Sequence, residues 1–483
     1  MPHQNLIVAT FAAYLLVVLI LAYFAWKRTA DLADFILGGR SLNSFVTALA
    51  AQASDMSGWL LMGLPGLAYA AGFESLWLVA GLLAGTWLNW KWVAEKLRTA
   101  TEQLGDALTL PDYFERRFAD NSRLLRLLSG VFILVFFTLY TSSGFVAAGK
   151  LFESLFGMPY HLALLAGGLS VVAYTFIGGF LAVSWADVLQ GSLMFLALVV
   201  VAALGWHLAG GAAGIETSLA AMNAELLDPF TDRSGQALGF IGIASLLGWG
   251  LGYAGQPHIL ARFMAIRDAA GIAAARRTAM VWVSVVLVAA VLAGLTGIIT
   301  LDRPLAGADA EKVFIDMAVD FLPPILAGVA LSGILAAVMS TASAQLLVSS
   351  SAFAEDFYRG LWRRGASRRE LLWTARGAVL AVALVALYLA RDPASKVLDL
   401  VAWAWAGFGA TFAPVIVLAL YWPRMNRAGA FAGIVTGGVT ALVWNRLSGG
   451  WFELYEIIPG FLLSLLAIVA ATLLTTRRGV NAV

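Results

Sequence analysis

Residues 51–66, AQASDMSGWLLMGLPG, place a carboxylate, Asp55, inside an apolar run that is long enough to cross a membrane. Glycine and proline follow this carboxylate at high density, at Gly58, Gly63, Pro65 and Gly66. Both residue types weaken a helix and leave backbone carbonyls free. Lipid tolerates such a break only where the unwound backbone faces protein or a wet cavity. The stretch therefore predicts an interrupted helix that lines an internal site.

A second stretch, residues 246–257 with the sequence LLGWGLGYAGQP, has the same character. Each stretch carries a Gly-Trp pair, at 58–59 and 248–249, and ends on a nearby proline. Predicted spans two and seven contain them, and an offset of five spans gives opposite orientations in the membrane. This pattern is typical of inverted-repeat transporters, which bind substrate and ion where paired broken helices meet. The alternative is glycine-rich packing of ordinary helices.

The composition indicates a multi-span membrane protein, because 61% of the 483 residues are hydrophobic and 12% are charged. A span needs about 20 apolar residues, and lipid-embedded chain of this kind must be helical or a closed barrel. Period-2 alternation is missing, which favours helices. We expect about thirteen spans, at 6–26, 41–71, 75–97, 124–149, 159–182, 185–209, 237–261, 275–300, 325–354, 371–390, 397–422, 427–446 and 454–476.

The charges predict the orientation and exclude several functions. Most of the 31 Lys and Arg residues fall on one side if the N-terminus is outside and the C-terminus is in the cytoplasm. A net charge of +2 gives no reason to expect nucleic acid as a partner. Cysteine is missing, and the four histidines lack ligand spacing, so a thiolate or imidazole metal site is not expected. No nucleophile, base and metal set converges, and we do not expect an enzyme.

Asp55 and the ninth span together predict an ion site. A carboxylate at mid-membrane costs roughly 2.5–3.5 kcal/mol on insertion scales, so a cation is its natural partner. Ala337, Ser340 and Thr341 share one face of the ninth span. Hydroxyl and carbonyl oxygens suit a hard ion such as sodium. The alternatives are a hydrogen-bonded structural carboxylate and a Ser-Thr pair that only joins helices.

Six runs of the chain resemble the sodium:solute symporter family, and in particular its proline-transporting members. They are ILGGRSLNSFVTALAAQASDMSGWLLMGLPG (36–66), TFIGGFLAVSWADVLQ (175–190), GWGLGYAGQPHILARFMA (248–265), ILAAVMSTASAQLLVSSSA (334–352), AWAGFGATFAP (404–414) and YEIIPGF (455–461). The resemblance covers nearly the whole chain. It departs from the family pattern at Gln52 and Ala254, where we expect a smaller and a bulkier residue.

The resemblance implies an all-α membrane protein with a LeuT-like five-plus-five inverted-repeat core and broken helices. It implies import of L-proline by sodium symport, across a bacterial inner membrane, with sodium as the co-transported ion. Sodium would bind backbone oxygens of Ala53, Met56 and Ala337 and the hydroxyls of Ser340 and Thr341, with support from Asp55. Proline would lie near Ser57, Gly58, Trp59, Tyr140, Trp249, Tyr253 and Pro257. Of the seventeen tryptophans, only Trp59 and Trp249 receive a role.

The expected organisation has four parts. The first span and inner loop occupy 1–40, the first repeat 41–210, the second repeat 237–422, and two further spans 423–483. Arg40 is either an interface anchor or part of a cytoplasmic gate. Asp187 either forms a capping box with Ser184 at a helix start after Gly178–Gly179 or lies near the ion route.

Three other functions stay open on the sequence. The chain could carry another small solute with sodium, such as a different amino acid or a small carboxylate. It could be a membrane-embedded solute sensor, which would require a separate signalling partner. It could also be a passive channel, which would not accumulate its solute against a gradient.

Overall fold

The computed structural model describes residues 2–26, 37–177 and 180–480, and these residues form helices and connecting loops without a β-strand. Nine described helices are long and apolar enough to span a membrane by length and composition, and three shorter apolar helices accompany them. The longest of the nine, Trp59–Gln103, combines half of an interrupted helix with the next span, so the described residues contain thirteen candidate passes.

The passes are numbered α1 to α13 in chain order, with the halves of the interrupted helices lettered a and b. They are α1 (Pro2–Trp26), α2a (Ser44–Asp55) and α2b (Leu64–Ala71), α3 (Ser75–Leu88 continuing to Ala94–Gln103), α4 (Leu124–Phe156), α5 (Tyr160–Ile177), α6 (Phe180–Leu208), α7a (Gly239–Gly248) and α7b (Pro257–Ala265), α8 (Ile272–Thr300), α9 (Pro324–Ser351), α10 (Arg368–Leu389), α11 (Val397–Tyr421), α12 (Arg427–Trp444) and α13 (Ile457–Val480).

Both predicted interruptions are present. The helix α2a begins at the N-cap Asn43 and ends at Asp55, and Met56 leaves the helical conformation with φ −82° and ψ 81°. A π-helical turn, Trp59–Gly63, then leads into α2b. In the second interruption a 3₁₀ segment, Trp249–Gly255, follows α7a, and Gln256 is extended before Pro257 starts α7b.

The remaining boundaries differ from the expected ones at several places. The helices α3 and α4 end six and seven residues later than expected, at Gln103 and Phe156. The segment 211–236, which lies between the two expected repeats and outside the expected spans, contains a helix, Gly211–Asn223. Span α6 begins at Phe180, five residues earlier than expected. Span α9 continues beyond Ser351 as a π-helix, Ala352–Trp362. Sequence hydropathy marks the apolar core of each helix well and marks its polar ends poorly.

The helix α9 lies at the centre of the bundle and packs against α1, α2a, α4, α5, α6 and α10. The most apolar 18 residues of this helix are 83% buried within the protein, whereas the corresponding stretch of α13 is 33% buried. The helix α2a packs against α6, α7b, α8 and α9. The end of α2a is therefore enclosed by helices from both halves of the sequence.

One end of the bundle, called the Arg40 side, is closed by contacts between the two interrupted helices. Leu42, before α2a, pairs with Ile266, after α7b, in a parallel bridge. The Leu42 N–H donates to the Ala265 carbonyl at 3.3 Å, and the Arg267 N–H donates to the Leu42 carbonyl at 2.8 Å. Arg40 donates to the carbonyls of Met264 at 2.7 Å and of Ala107 at 3.1 Å. A cavity of about 30 Å³ lies beyond this closure, which is room for one or two water molecules.

The opposite end, called the Glu311 side, is held by a buried charge. Lys150 of α4 lies 2.7 Å from the Glu311 carboxylate, and both side chains are buried. The same carboxylate accepts hydrogen bonds from the Val397 and Leu398 N–H groups at 2.9 and 3.0 Å, at the start of α11. An acidic group at a helix N-terminus satisfies donors that have no partner within the helix.

Glycines allow the backbone of α3 to contact the backbone of the second interruption directly. A Cβ on Gly85 would lie 2.3 Å from the Gly250 carbonyl oxygen, and a Cβ on Gly250 would lie 2.3 Å from the Gly81 carbonyl oxygen. No side chain fits between these backbones. The position of the 3₁₀ segment therefore depends on α3.

We expect Gly85→Ala to destabilise the protein by about 1–3 kcal/mol, because the added methyl group must push two backbones apart. The thermal unfolding midpoint of the purified protein in detergent measures this. Gly377→Ala on α10 is the matched control, since a Cβ there has nothing within 4 Å, and its midpoint should be unchanged or higher. Equal midpoints for the two variants would show that the contact has no energetic role.

Arg40→Gln should loosen the Arg40 side, because it removes the guanidinium from the Met264 and Ala107 carbonyls. The chain has no cysteine, so a single Ala261→Cys in the wall of the 30 Å³ cavity reports on access. We expect its labelling by a membrane-impermeant maleimide to rise by about tenfold or more, because two hydrogen bonds from a charged group are lost. Arg359→Gln, which breaks a pair with Glu355, should leave the rate unchanged. Identical rates in the Arg40 variant and the parent would refute this role.

Candidate functional site

The oxygens predicted to bind an ion meet where α2a ends against α9. The Ser340 hydroxyl donates to the Ala53 carbonyl at 2.7 Å and to the Ala337 carbonyl at 3.1 Å. The Thr341 hydroxyl donates to the same Ala53 carbonyl at 3.3 Å. All four residues are buried. Three hydrogen bonds therefore link four oxygens from two helices, and Met56 follows at the cap of α2a.

This cluster can exchange a hydrogen-bonded state for an ion-bound state. The helix break leaves the Ala53 carbonyl without a partner in its own helix, and hydroxyls of α9 donate hydrogen bonds to it instead. A hydroxyl is both donor and acceptor, so rotation of its hydrogen presents a lone pair instead. The same oxygens can then surround a hard monovalent cation. Sodium binding at this place would replace two hydrogen bonds that join α2a to α9, and one within α9.

The carbonyl of Asp55, the last residue of α2a, is occupied as well. The Trp59 indole N–H donates to it at 3.2 Å, and the Tyr140 hydroxyl donates to it at 3.3 Å. Tyr140 belongs to α4, far away in sequence. Two of the residues expected near the substrate thus fix the geometry of the break.

The Asp55 carboxylate is fully buried, and neither of its oxygens has a hydrogen-bond partner among the described residues. The Tyr253 hydroxyl lies within electrostatic range of it. A buried charge normally has a counter-charge or several donors, because desolvation is costly. Asp55 is therefore poised for a ligand that supplies positive charge.

The carbonyls of the second interruption are occupied by side chains that the sequence interpretation did not single out. The Trp405 indole donates to the Trp249 carbonyl at 2.8 Å. Gln256 donates to the Gly252 carbonyl at 3.2 Å, and Asn89 donates to the Tyr253 carbonyl at 3.2 Å. Trp405 lies in one of the runs that carry the family resemblance, so this run was a usable signal. No sequence signal pointed to Asn89, because it lies in an apolar span without a motif.

Aromatic rings from both interruptions form one cluster. The Trp59 and Trp249 rings, from the two Gly-Trp pairs, have centroids 6.4 Å apart. Trp405 stacks on Trp249 at 6.3 Å and meets Tyr253 edge-on at 4.9 Å. Tyr455 stacks on Trp249 at 5.6 Å. The cluster offers apolar walls for a small ring-shaped solute.

Three further residues expected near the substrate lie outside the aromatic cluster. Ser57 lies in the break, where its hydroxyl accepts from the Trp59 N–H at 3.4 Å. Gly58 packs on α4, since a Cβ there would lie 2.7 Å from the Ala147 Cβ. Pro257 lines the small cavity above the Arg40 side. Ser57 therefore lies in the break after Asp55, and Pro257 lies in the wall of the small cavity at the Arg40 side.

The interpretation of Asp187 as part of a capping box is wrong. Ser184 and Asp187 both lie inside α6, which begins at Phe180, while Gly178 and Gly179 lie outside the described residues. Asp187 pairs with Arg262 of α7b at 3.0 Å, and both side chains are fully buried. One turn further along α6, a Cβ on Gly191 would lie 3.3 Å from the Ala53 Cβ. The pair therefore joins α6 to α7b about one turn from the oxygens predicted to bind an ion.

Comparison with known families supports the same architecture. The model of the sodium:solute symporter family matches residues 35–437. The chain is 50% identical over 470 residues to the sodium/proline symporter of Salmonella typhimurium (96% of this chain, 92% of the relative). It is 48% identical over 458 residues to the high-affinity proline transporter PutP of Bacillus subtilis (95% of this chain, 96% of the relative).

Solved structures show the fold. A sodium-coupled sialic acid symporter, in a substrate-bound outward-open state, superposes with a TM-score of 0.80 at 18% identity over 97% of this chain and 98% of that one. Mhp1, a nucleobase-cation-symport-1 family transporter in a closed conformation, gives a TM-score of 0.58 at 15% identity over 92% and 95%. The expected LeuT-like five-plus-five core is confirmed. With the family model matching most of its length and relatives at half identity, this chain belongs to the sodium:solute symporter family, whose members are transporters and not enzymes.

Proposed function

We propose that the protein imports L-proline together with sodium by alternating access across a bacterial inner membrane. The observation that carries the proposal is the meeting of the Ala53 carbonyl with the Ser340 and Thr341 hydroxyls beside a buried, unneutralised Asp55. The names of the relatives, several of them sodium/proline symporters, support proline as the solute. The aromatic cluster around Trp59 and Trp249 suits a pyrrolidine ring.

In this proposal sodium binds oxygens of Ala53, Met56, Ala337, Ser340 and Thr341, and the charge of Asp55 stabilises the ion from the adjoining position. The ion holds α2a against α9. It thereby orders the break that carries Ser57, Gly58 and Trp59. Proline then binds more tightly when sodium is present, and linkage makes the effect reciprocal.

The Arg40 side faces the cytoplasm in this proposal, because its loops carry most of the Lys and Arg residues. The N-terminus is then outside and the C-terminus inside. Residues 41–210 and 237–422 form the two repeats, with 1–40 and 423–483 outside the core. Arg40 belongs to the cytoplasmic gate, and the Asp187–Arg262 pair couples α7b to the helix that adjoins the ion.

The sodium gradient suffices as the driving force. One charge that moves through about 100 mV gives roughly 2.3 kcal/mol. A tenfold sodium gradient adds about 1.4 kcal/mol. One ion per solute can then sustain a proline gradient of about several hundred-fold.

Uptake of labelled L-proline into proteoliposomes tests the function. With an inward sodium gradient and a negative interior, we expect accumulation above the external concentration, and a sodium ionophore should abolish it. Equilibration without accumulation would indicate a channel. Stronger competition by another amino acid or a small carboxylate would indicate a different solute, and sodium-independent binding without uptake would indicate a sensor.

Asp55→Asn and Ser340→Ala should each raise the sodium concentration for half-maximal uptake by about tenfold or more, because each removes a charged or hydrogen-bonding ligand contact. Uptake as a function of sodium, at saturating proline, measures this. Ser192→Ala is the matched control, because Ser192 is exposed on α6 and its hydroxyl donates only to the Val188 carbonyl. An unchanged sodium dependence in both variants would contradict the proposed ion site.

A further inference from the structure

Two adjoining cavities form a groove between α3 and α11, called the α3–α11 groove. The larger cavity, of about 580 Å³, is lined by α3, by the segment that follows it and by the end of α11. The smaller cavity, of about 370 Å³, extends along α3 to the 3₁₀ segment of the second interruption. Trp92 and Tyr421 line both cavities, and the Tyr421 hydroxyl donates to the Trp92 carbonyl at 2.7 Å. None of the residues predicted to bind ion or solute lines either cavity.

The larger cavity lies at the Arg40 side, where the membrane meets water. The same end of α3 is tied to that side, because Arg40 donates to the Thr101 hydroxyl at 3.2 Å and Arg98 donates to the Ile266 carbonyl at 2.7 Å. Trp92 is 53% exposed and Tyr421 is 45% exposed, and exposed rings of these types are typical of the membrane–water boundary. The groove therefore runs from this boundary into the apolar layer.

Basic side chains dominate the larger cavity. Lys91, Lys96 and Arg117 line it together with one acidic residue, Glu95. Within the part of the chain that the structure describes, none of the three cations forms an ion pair with a carboxylate. The cavity therefore has an excess of positive charge that the protein itself does not neutralise.

Contacts hold two of these cations in the cavity wall. The Lys96 ammonium lies 4.6 Å from the centre of the Tyr421 ring. The Arg117 Nε donates to the Ala419 carbonyl at 3.1 Å, which leaves the two terminal nitrogens of the guanidinium for a ligand. The Tyr113 hydroxyl in the same wall is buried and has no hydrogen-bond partner among the described residues. Two cations and a hydroxyl donor in one cavity match an anionic group with several acceptor oxygens.

The smaller cavity is mainly apolar. Its walls include Leu88, Val93, Leu251, Val417 and Phe461. Ala254 also lines it, and this is a position at which the family pattern leads us to expect a bulkier side chain. The small side chain leaves room beside the 3₁₀ segment that a larger one would fill.

We propose that the α3–α11 groove binds an anionic phospholipid from the leaflet at the Arg40 side. The phosphate lies on Lys96 and Arg117, and an acyl chain lies in the smaller cavity against the 3₁₀ segment. A guanidinium binds phosphate through parallel hydrogen bonds, and basic pockets between spans bind anionic headgroups. The adjoining apolar cavity favours a lipid over a soluble anion, because a soluble anion has no apolar part to place there.

The acyl chain would contact both partners of the glycine contact described above. Gly85 of α3 and Gly250 of the 3₁₀ segment touch through their backbones, and both line the smaller cavity. A chain that packs across this contact stabilises it. Lipid binding therefore supports the position of the second interruption.

Native mass spectrometry of the purified protein in detergent tests the inference. The protein is titrated with phosphatidylglycerol, which is anionic, or with phosphatidylcholine of the same acyl chains, which is zwitterionic. We expect wild type to bind phosphatidylglycerol about tenfold or more tightly, because each basic residue near a headgroup contributes about a fivefold preference. Lys96→Gln and Arg117→Gln should each lower this preference by about fivefold.

A change in the smaller cavity should have a different effect. Ala254→Leu fills part of the space for the acyl chain, so we expect it to weaken the binding of both lipids by a similar factor, about fivefold or more. The preference for phosphatidylglycerol should stay as in wild type. Arg277→Gln is the matched control for the headgroup variants, since Arg277 is exposed on α8 and lines neither cavity.

Four outcomes would overturn the inference. They are equal affinities of wild type for the two lipids, an equal loss of preference in Arg277→Gln and Arg117→Gln, unchanged binding of both lipids in Ala254→Leu, and displacement of phosphatidylglycerol by an equal concentration of glycerophosphoglycerol. The last compound has the same headgroup without acyl chains, so its success would make the cavity a site for a soluble anion.

Discussion

The fold depends on one constraint, which is that every backbone polar group inside a membrane must find a partner. The two helix interruptions release carbonyls at Ala53, Asp55, Trp249, Gly252 and Tyr253. Each of these carbonyls is bound by a side chain, and most of those side chains come from other helices. The interruptions therefore hold the bundle together instead of weakening it. A site made of such carbonyls is available to a ligand only through exchange with these side chains.

This exchange would connect the proposed ion site to the proposed solute site. The Ala53 and Asp55 carbonyls are two residues apart on the last turn of α2a. One is bound by hydroxyls of α9, and the other by Trp59 and Tyr140. A change at one carbonyl moves a backbone that the other also uses. Tight coupling between ion and solute then needs no long pathway through the protein.

Much of this arrangement could be predicted from the sequence, because its signals are local. The break after Asp55 follows from glycine and proline in a membrane-spanning run, and the hydroxyl pair of α9 follows from its spacing. Long-range pairs gave no such signal. Arg262 as the partner of Asp187, and Asn89 as the partner of the Tyr253 carbonyl, are separated by 75 and 164 residues. The capping interpretation of Asp187 failed because a Ser-x-x-Asp pattern is equally compatible with a helix interior, where tertiary partners decide.

The two ends of the bundle are closed by different chemistry. The Glu311 side depends on a carboxylate shared by Lys150 and the first turn of α11, so it requires particular side chains. On the Arg40 side, the pairing of Leu42 with Ile266 is made by main-chain atoms. This backbone pairing carries no net charge, so ionic strength has little effect on its stability. Its hydrogen bonds use main-chain atoms of residues whose side chains, Leu42 and Ile266, are buried, and proline at position 42, which lacks the N–H, is the substitution that would open it.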